Sequence, residues 1–138
     1  MLGGIMSVVY RTSDIIDVKI GKMTISISPL NYKVKSDIQS MLINGKALDA
    51  AVLALRHGIK KISGLKLADG SDYKVNLQND VLDESHIDDL LNIPEQSQLT
   101  IIALELVNGI PQKEFVDPQT GGTLEGVKIV KKASSRKK

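Results

Sequence analysis

Cysteine and tryptophan are absent from this 138-residue chain, phenylalanine occurs once, as Phe115, and tyrosine three times. The missing thiol excludes a disulfide framework, a thiolate zinc site and a cysteine nucleophile, and it fits a reducing compartment. Aromatic scarcity bears on partners. Single-stranded nucleic acid is normally held on aromatic platforms worth about 1–3 kcal/mol per stacked base, and tight interfaces favour Trp and Tyr anchors. Nucleic acid is therefore a disfavoured partner, and the core must be aliphatic. No run approaches the ~20 apolar residues of a membrane span. The opening MLGGIMSVVYR has no positive segment ahead of its short apolar stretch, and Arg11 and Asp14 follow soon after. The expectation is a soluble, cytoplasmic protein without membrane contact.

Lysine and arginine are missing from one long window, Val75 to Gln112, which carries Asp80, Asp83, Glu84, Asp88, Asp89, Glu95 and Glu105. The final KIVKKASSRKK carries positive charge alone. Formal net charge is +2, so the total does not imply a generic polyanion binder; the distribution says more than the sum. A chain of 15.0 kDa fits one domain, and such a domain buries roughly 68% of the surface its unfolded chain exposes. Hydrophobic content of 42% and charged content of 25% are globular values.

The pattern along the chain predicts an α+β fold: about four packed helices with two β-hairpins or a small antiparallel sheet. Residues 1–14 read as an N-terminal arm or strand, 15–111 as the core domain, and 112–138 as an extended C-terminal segment with a basic tail. In DVKIGKMTISI, apolar Val18, Ile20, Met23, Ile25 and Ile27 alternate with polar residues around Gly21, the signature of a hairpin. Pro29 ends the extended run, and Asn31 is placed to cap a helix over about residues 32–43. Val34, Ile38, Met41 and Leu42 form its buried stripe, and Gly45 stops it. KALDAAVLALRH, rich in Ala and Leu, predicts a second helix closed by Gly58. An Asp-Gly turn at Asp69-Gly70 predicts another hairpin between residues 65–67 and 73–77. Its DGSD lacks the ligand spacing of a calcium loop: the twelfth position is Asp80 and the glycine is misplaced.

Asp83 is the expected N-cap of a helix over residues 84–91, whose early acids suit the positive helix N-terminus. Pro94 opens the next helix, residues 95–107. Leu99, Ile102, Ala103 and Leu106 form one stripe there, widened by Ile101, Leu104 and Val107, which marks it as the expected central helix. Gly109 and Pro111 end it. Val127, Ile129 and Val130 suit an edge strand or a docking strip, and Ala133 to Lys138 have the composition of a disordered basic tail.

No catalytic, cofactor-binding or metal-binding constellation emerges. His57 and His86 lie on different predicted helices without a partner at metal-ligand spacing. His57, beside Gly58, reads as a C-terminal helix cation or cap contact. His86, near Asp83 and Asp89, reads as a general base oriented by a carboxylate or, more plainly, as part of a solvated helix face. Gly3-Gly4 and Gly121-Gly122 lack the spacing of a phosphate loop. The expected partner-binding residues are Asp88, Asp89, Glu95 and Glu105 on the acidic helices and Lys131, Lys132 and Arg136 in the basic tail. That tail suits contact with phosphates, with an acidic window of the same or a neighbouring copy, or with solvent alone.

The order DVKIGKMTISISPL, YKVKSDIQSMLING, ALDAAVLALRHGIKKISGL, ADGSDYKVNL, DESHIDDLLNI and LTIIALELVNGIP, spanning Asp17 to Pro111, resembles the small tail assembly chaperones of tailed bacteriophages. The resemblance implies a non-enzymatic protein of the host cytoplasm that binds the tape-measure protein and helps tail tube subunits assemble around it. The acidic face would shield a long helical client. A homo-oligomer is compatible with this reading. The strand-like segments at both ends suit an alternative, a structural protein of the virion's head-to-tail or tail region that adds strands to neighbours. A small nucleic-acid-binding module is the third reading.

Overall fold

A computed structural model describes residues 8–111 and 114–135, with the side chains of 131–135 left aside. Four antiparallel strands form the main sheet, in the order β3 (Ile59–Ser63), β2 (Met23–Ile27), β1 (Asp14–Ile20) and β6 (Val127–Ser135). β1 and β2 make the expected hairpin, with Ile20 opposite Met23. Gly21 takes φ +60° at the first loop position, as a two-residue type II′ turn requires. β3 joins β2 on one side, and β6 joins β1 on the other. Strand alternation sends Ile16, Val18, Ile20, Met23, Ile25, Ile27, Ile62 and Val127 into the core. Polar residues such as Lys19, Ser26, Lys61 and Lys128 occupy the other face.

The helices cover the apolar face. In α1 (Tyr32–Ile43) the Asn31 side chain accepts the Val34 amide at 2.9 Å. At its other end Gly45, φ +75°, and Lys46 donate to the carbonyls of Leu42 and Met41. Those two bonds form a Schellman stop and satisfy carbonyls that the helix leaves open. α2 (Ala47–Gly58) packs against both α1 and α4 (Gln96–Glu105). It, rather than α4, is the central helix: Ala50, Ala51 and Ala54 are buried, and their small side chains allow neighbours on two sides. α4 leaves Ile101 and Leu104 half-exposed while Leu99, Ile102 and Ala103 are buried, and a 3-10 turn (Leu106–Asn108) extends it.

Further departures from the expected layout have local causes. Leu42 is exposed, because the α1 stripe ends with Ile38 and half-buried Met41. Asp83 is not an N-cap: α3 (Ser85–Leu90) starts after Glu84, and the Asp83 carboxylate accepts the Ser85 hydroxyl instead. The Asp69-Gly70 turn forms, held by Asp69 accepting the Ser71 amide, but its flanks share a single bridge, Lys66 with Asp72, instead of a ladder. A short hairpin, β4 (Leu77–Gln78) with β5 (Val81–Leu82), lies just beyond, its loop formed by Asn79 and Asp80 at φ +53° and +66°. Of the expected loose tail, Ala133 to Ser135 instead continue β6, with Ser134 and Ser135 opposite Ile15 and Asp14, and residues 136–138 lie outside the described residues. Phe115 and Leu124 join Val127 in the core, so the C-terminal segment is part of the packed fold.

Gly58 is a matter of space: a Cβ there would lie 2.6 Å from the Leu106 Cδ1. Gly64 is doubly constrained, with φ +80° and a Cβ position occupied by the Lys22 carbonyl oxygen. Gly64→Ala is expected to cost about 1–3 kcal/mol through backbone strain, with the collision added. Urea denaturation measures the loss; an unchanged midpoint would show that this loop relaxes freely.

Candidate functional site

Asp88 and Asp89 lie on the exposed side of α3 while Ile87 and Leu90 turn into the core. Across from them runs the segment 65–68, which leads into the Asp69-Gly70 turn. Between the two runs lies a groove of about 300 Å³, lined by apolar Leu65, Leu67 and Ile93 and by exposed Asp88 and Asp89. Tyr73 contributes to its lining and is the middle member of a continuous chain of hydrogen bonds. The Asn76 amide donates to His86 Nε2 at 2.9 Å, Nδ1 lies 2.7 Å from the Tyr73 hydroxyl, and that hydroxyl donates to Asp89 Oδ2 at 2.8 Å. Since Nε2 accepts, the hydrogen-bond pattern assigns the neutral ring's proton to Nδ1, which donates to Tyr73. Burial, followed by the Asp89 hydrogen bond and charge, raises the Tyr73 pKa above its ordinary value. Tyr73 therefore serves as a neutral donor.

This arrangement changes both readings of His86. It is 7% exposed, so it is no part of a solvated face, and Tyr73 stands between it and Asp89. Both ring nitrogens are already engaged, which leaves no lone pair facing an outside proton. The ring of Tyr73 meets it edge-on, with centroids 5.6 Å apart. Tyr73 itself carried no functional signal in the sequence. Its pairing with a histidine thirteen positions away depends on the turn between them.

The other expected binding residues do not join this groove. Glu95 is half-buried at the start of α4, without a side-chain cap bond. Glu105 lines a separate hollow of about 130 Å³ with residues 108–111 and 114–116. The acidic helices thus present separate patches rather than one face. Lys131 and Lys132 have their backbone in β6, Lys131 opposite Asp17 of β1, and Arg136 lies outside the described residues. A second apolar feature is the tip between α1 and α2, where Ile43 is 84% and Leu48 64% exposed.

His57 sits in the last turn of α2, but it is a poor helix cation. Burial, then the charges of Lys60 and Arg56, lower its pKa, against a smaller raising effect of Asp37. The unfolded chain takes up the proton more readily, so this residue's contribution favours folding above its unfolded pKa of about 6.5 and is lost as pH falls. Stability measured from pH 7 to pH 5 should fall more steeply in the wild type than in His57→Gln. Identical slopes would remove His57 from the balance.

Among the described residues no group of three or more His, Asp or Glu side chains is placed to hold a metal ion, and no helix is long and apolar enough to cross a membrane. No protein-family model matches the chain, and neither the curated proteins nor the solved structures provide a match.

Proposed function

We propose that this chain is a non-enzymatic bacteriophage tail morphogenesis protein, assembly-chaperone-like, that binds a tail component through the groove between the segment 65–68 and α3. One observation carries the reading: exposed Leu67 and exposed Asp88 and Asp89 line a single open groove. An amphipathic basic helix of a tape-measure or tube protein complements it, its apolar stripe against Leu65, Leu67 and Ile93 and its cations at Asp88 and Asp89. Such an interface is small and partly polar, which suits reversible binding. The engaged nitrogens of His86 support a structural role for that histidine over proton transfer.

Asp88 is the clean probe, because its carboxylate is exposed while Asp89 also holds Tyr73. Asp88→Lys should weaken client binding about tenfold, equivalent to about 1.4 kcal/mol, and shift folding stability by no more than about 0.5 kcal/mol. Titration calorimetry with a tape-measure segment, paired with a thermal melt, reads both quantities. Undiminished affinity would move the interface elsewhere.

The second reading, a structural component of the virion, is favoured by β6. This nine-residue strand ends the sheet and carries Val130 at 53% exposure, as a strand offered to a neighbour would. Mass spectrometry of purified particles separates the two: an assembly factor is missing, a structural protein is present at stoichiometric copy number.

A further inference from the structure

We propose that β3 accepts an extended acidic polypeptide segment as an added strand, in a slot distinct from the groove on α3. β3 is a terminal strand of the sheet, paired with β2 along one edge. Along its other edge lies a cavity of about 430 Å³, walled by residues 60–64 on one side and the extended run 72–75 on the other. The walls converge beyond Gly64, where the Tyr73 amide donates to the Leu65 carbonyl at 2.8 Å, and β5 lies beside the start of β3, so at about 3.3 Å per residue the slot takes roughly two or three residues of an incoming strand, whose ends extend beyond it.

The far wall is braced. Tyr73 is anchored through its hydroxyl to Asp89 and His86, and the chain immediately after Val75 is held by the Asn76 amide on His86. A slot fixed on both sides loses less freedom on binding than a loop that must first order.

Charge and alternation define the occupant. Lys61 and Lys74 are exposed at the slot and stand in no ion pair among the described residues. Asp72, the acid on the wall, is bridged to Lys66. In β3, Lys61 and Ser63 face outward while Ile62 is buried. An added strand follows the same pleat, so acidic side chains belong beside Lys61 and small apolar ones beside Ile62. A second copy fits poorly: two β3 edges would oppose lysines with lysines, and β6 is itself basic. This chain's acidic pair, Asp88 and Asp89, is committed to α3.

The test uses a fluorescein-labelled heptapeptide of alternating glutamate and valine, followed by anisotropy with the full chain. Three further probes are the lysine–valine counterpart, the acidic peptide N-methylated at alternate residues, and the Lys61→Glu/Lys74→Glu double variant. The acidic peptide should bind, more weakly as salt rises, and the lysine counterpart should not. N-methylation on the pairing edge and the double variant should each weaken binding at least tenfold. No binding by the wild type overturns the proposal. So does equal binding of the N-methylated peptide, which would mean charge attraction without strand pairing; that comparison needs no variant to fold. Peptide binding unaffected by Asp88→Lys separates this slot from the groove on α3, whose own failure would leave the β3 result standing.

Discussion

Leu99→Asp is expected to abolish cooperative folding. Leu99 is 1% exposed on α4, the helix that packs against α2, and belongs to the hydrophobic core cluster. The substitution removes an apolar side chain, which alone costs about 2–5 kcal/mol. It also places a carboxylate among aliphatic neighbours where no cation answers it. Total stability of such a domain is about 5–15 kcal/mol, so the combined loss consumes most or all of it. Circular dichroism with thermal melting reads the result, and a retained cooperative transition would contradict this packing of α4. Leu99→Met, which keeps the volume, should cost less than about 1.5 kcal/mol and serves as the control.

His86→Ala has the second largest expected effect, about 2–4 kcal/mol, from a residue that also appears in a helix-face pattern. Truncation leaves the Asn76 amide without its acceptor, removes the Nδ1 donor from Tyr73 and opens a void against the Tyr73 ring. A buried group stripped of its partner costs about 1–3 kcal/mol, and lost packing adds to that. His86→Asn retains a donor near the Nδ1 position and should recover part of the loss; Tyr73→Phe should cost less than His86→Ala, because the aromatic packing survives. Chemical denaturation ranks the three. Equal stability of wild type and His86→Ala would mean that the polar chain through Tyr73 contributes nothing to holding the groove.

Much of the α+β architecture was legible because local signals agree with the final packing. The β1–β2 hairpin followed from strict alternation around Gly21, α1 from Asn31 and Gly45, and α2 from its run of Ala and Leu. β3 was hidden: a bulge opposite Ser26 and Ile27 puts its buried residues, Ile59 and Ile62, three apart and breaks the two-residue period. The β4–β5 hairpin turns on Asn79-Asp80, which adopts positive φ without a glycine to announce it. β6 gains its order from β1, at the other end of the chain, and a basic sequence alone gives no sign of that partner. The centrality of α2 was likewise obscured, since apolar content favoured α4 while small side chains decided the packing.

The candidate sites were legible in part. Charge spacing put Asp88 and Asp89 on one helix, where both are exposed. It gave no means of seeing that Glu95 and Glu105 face different surroundings, because that depends on where α4 turns relative to residues 108–116. Tyr73 was invisible for the same reason: His86 and Asp89 are brought to it by the Asn79-Asp80 turn and by the Asn76 amide on His86. The double duty of Asp89, in the groove lining and as acceptor for Tyr73, makes its neutralisation a mixed experiment. Asp88 alone isolates binding from folding.

The most direct measurement is calorimetry of the intact chain with a helical tape-measure segment, for the wild type and Asp88→Lys side by side. Saturable binding by the wild type, about tenfold weaker in the variant with the melt unchanged, is the result expected of a protein that acts by offering this groove to a client. Wild-type protein that binds neither tape-measure nor tube segments, or a variant that binds as tightly as the wild type, would contradict it.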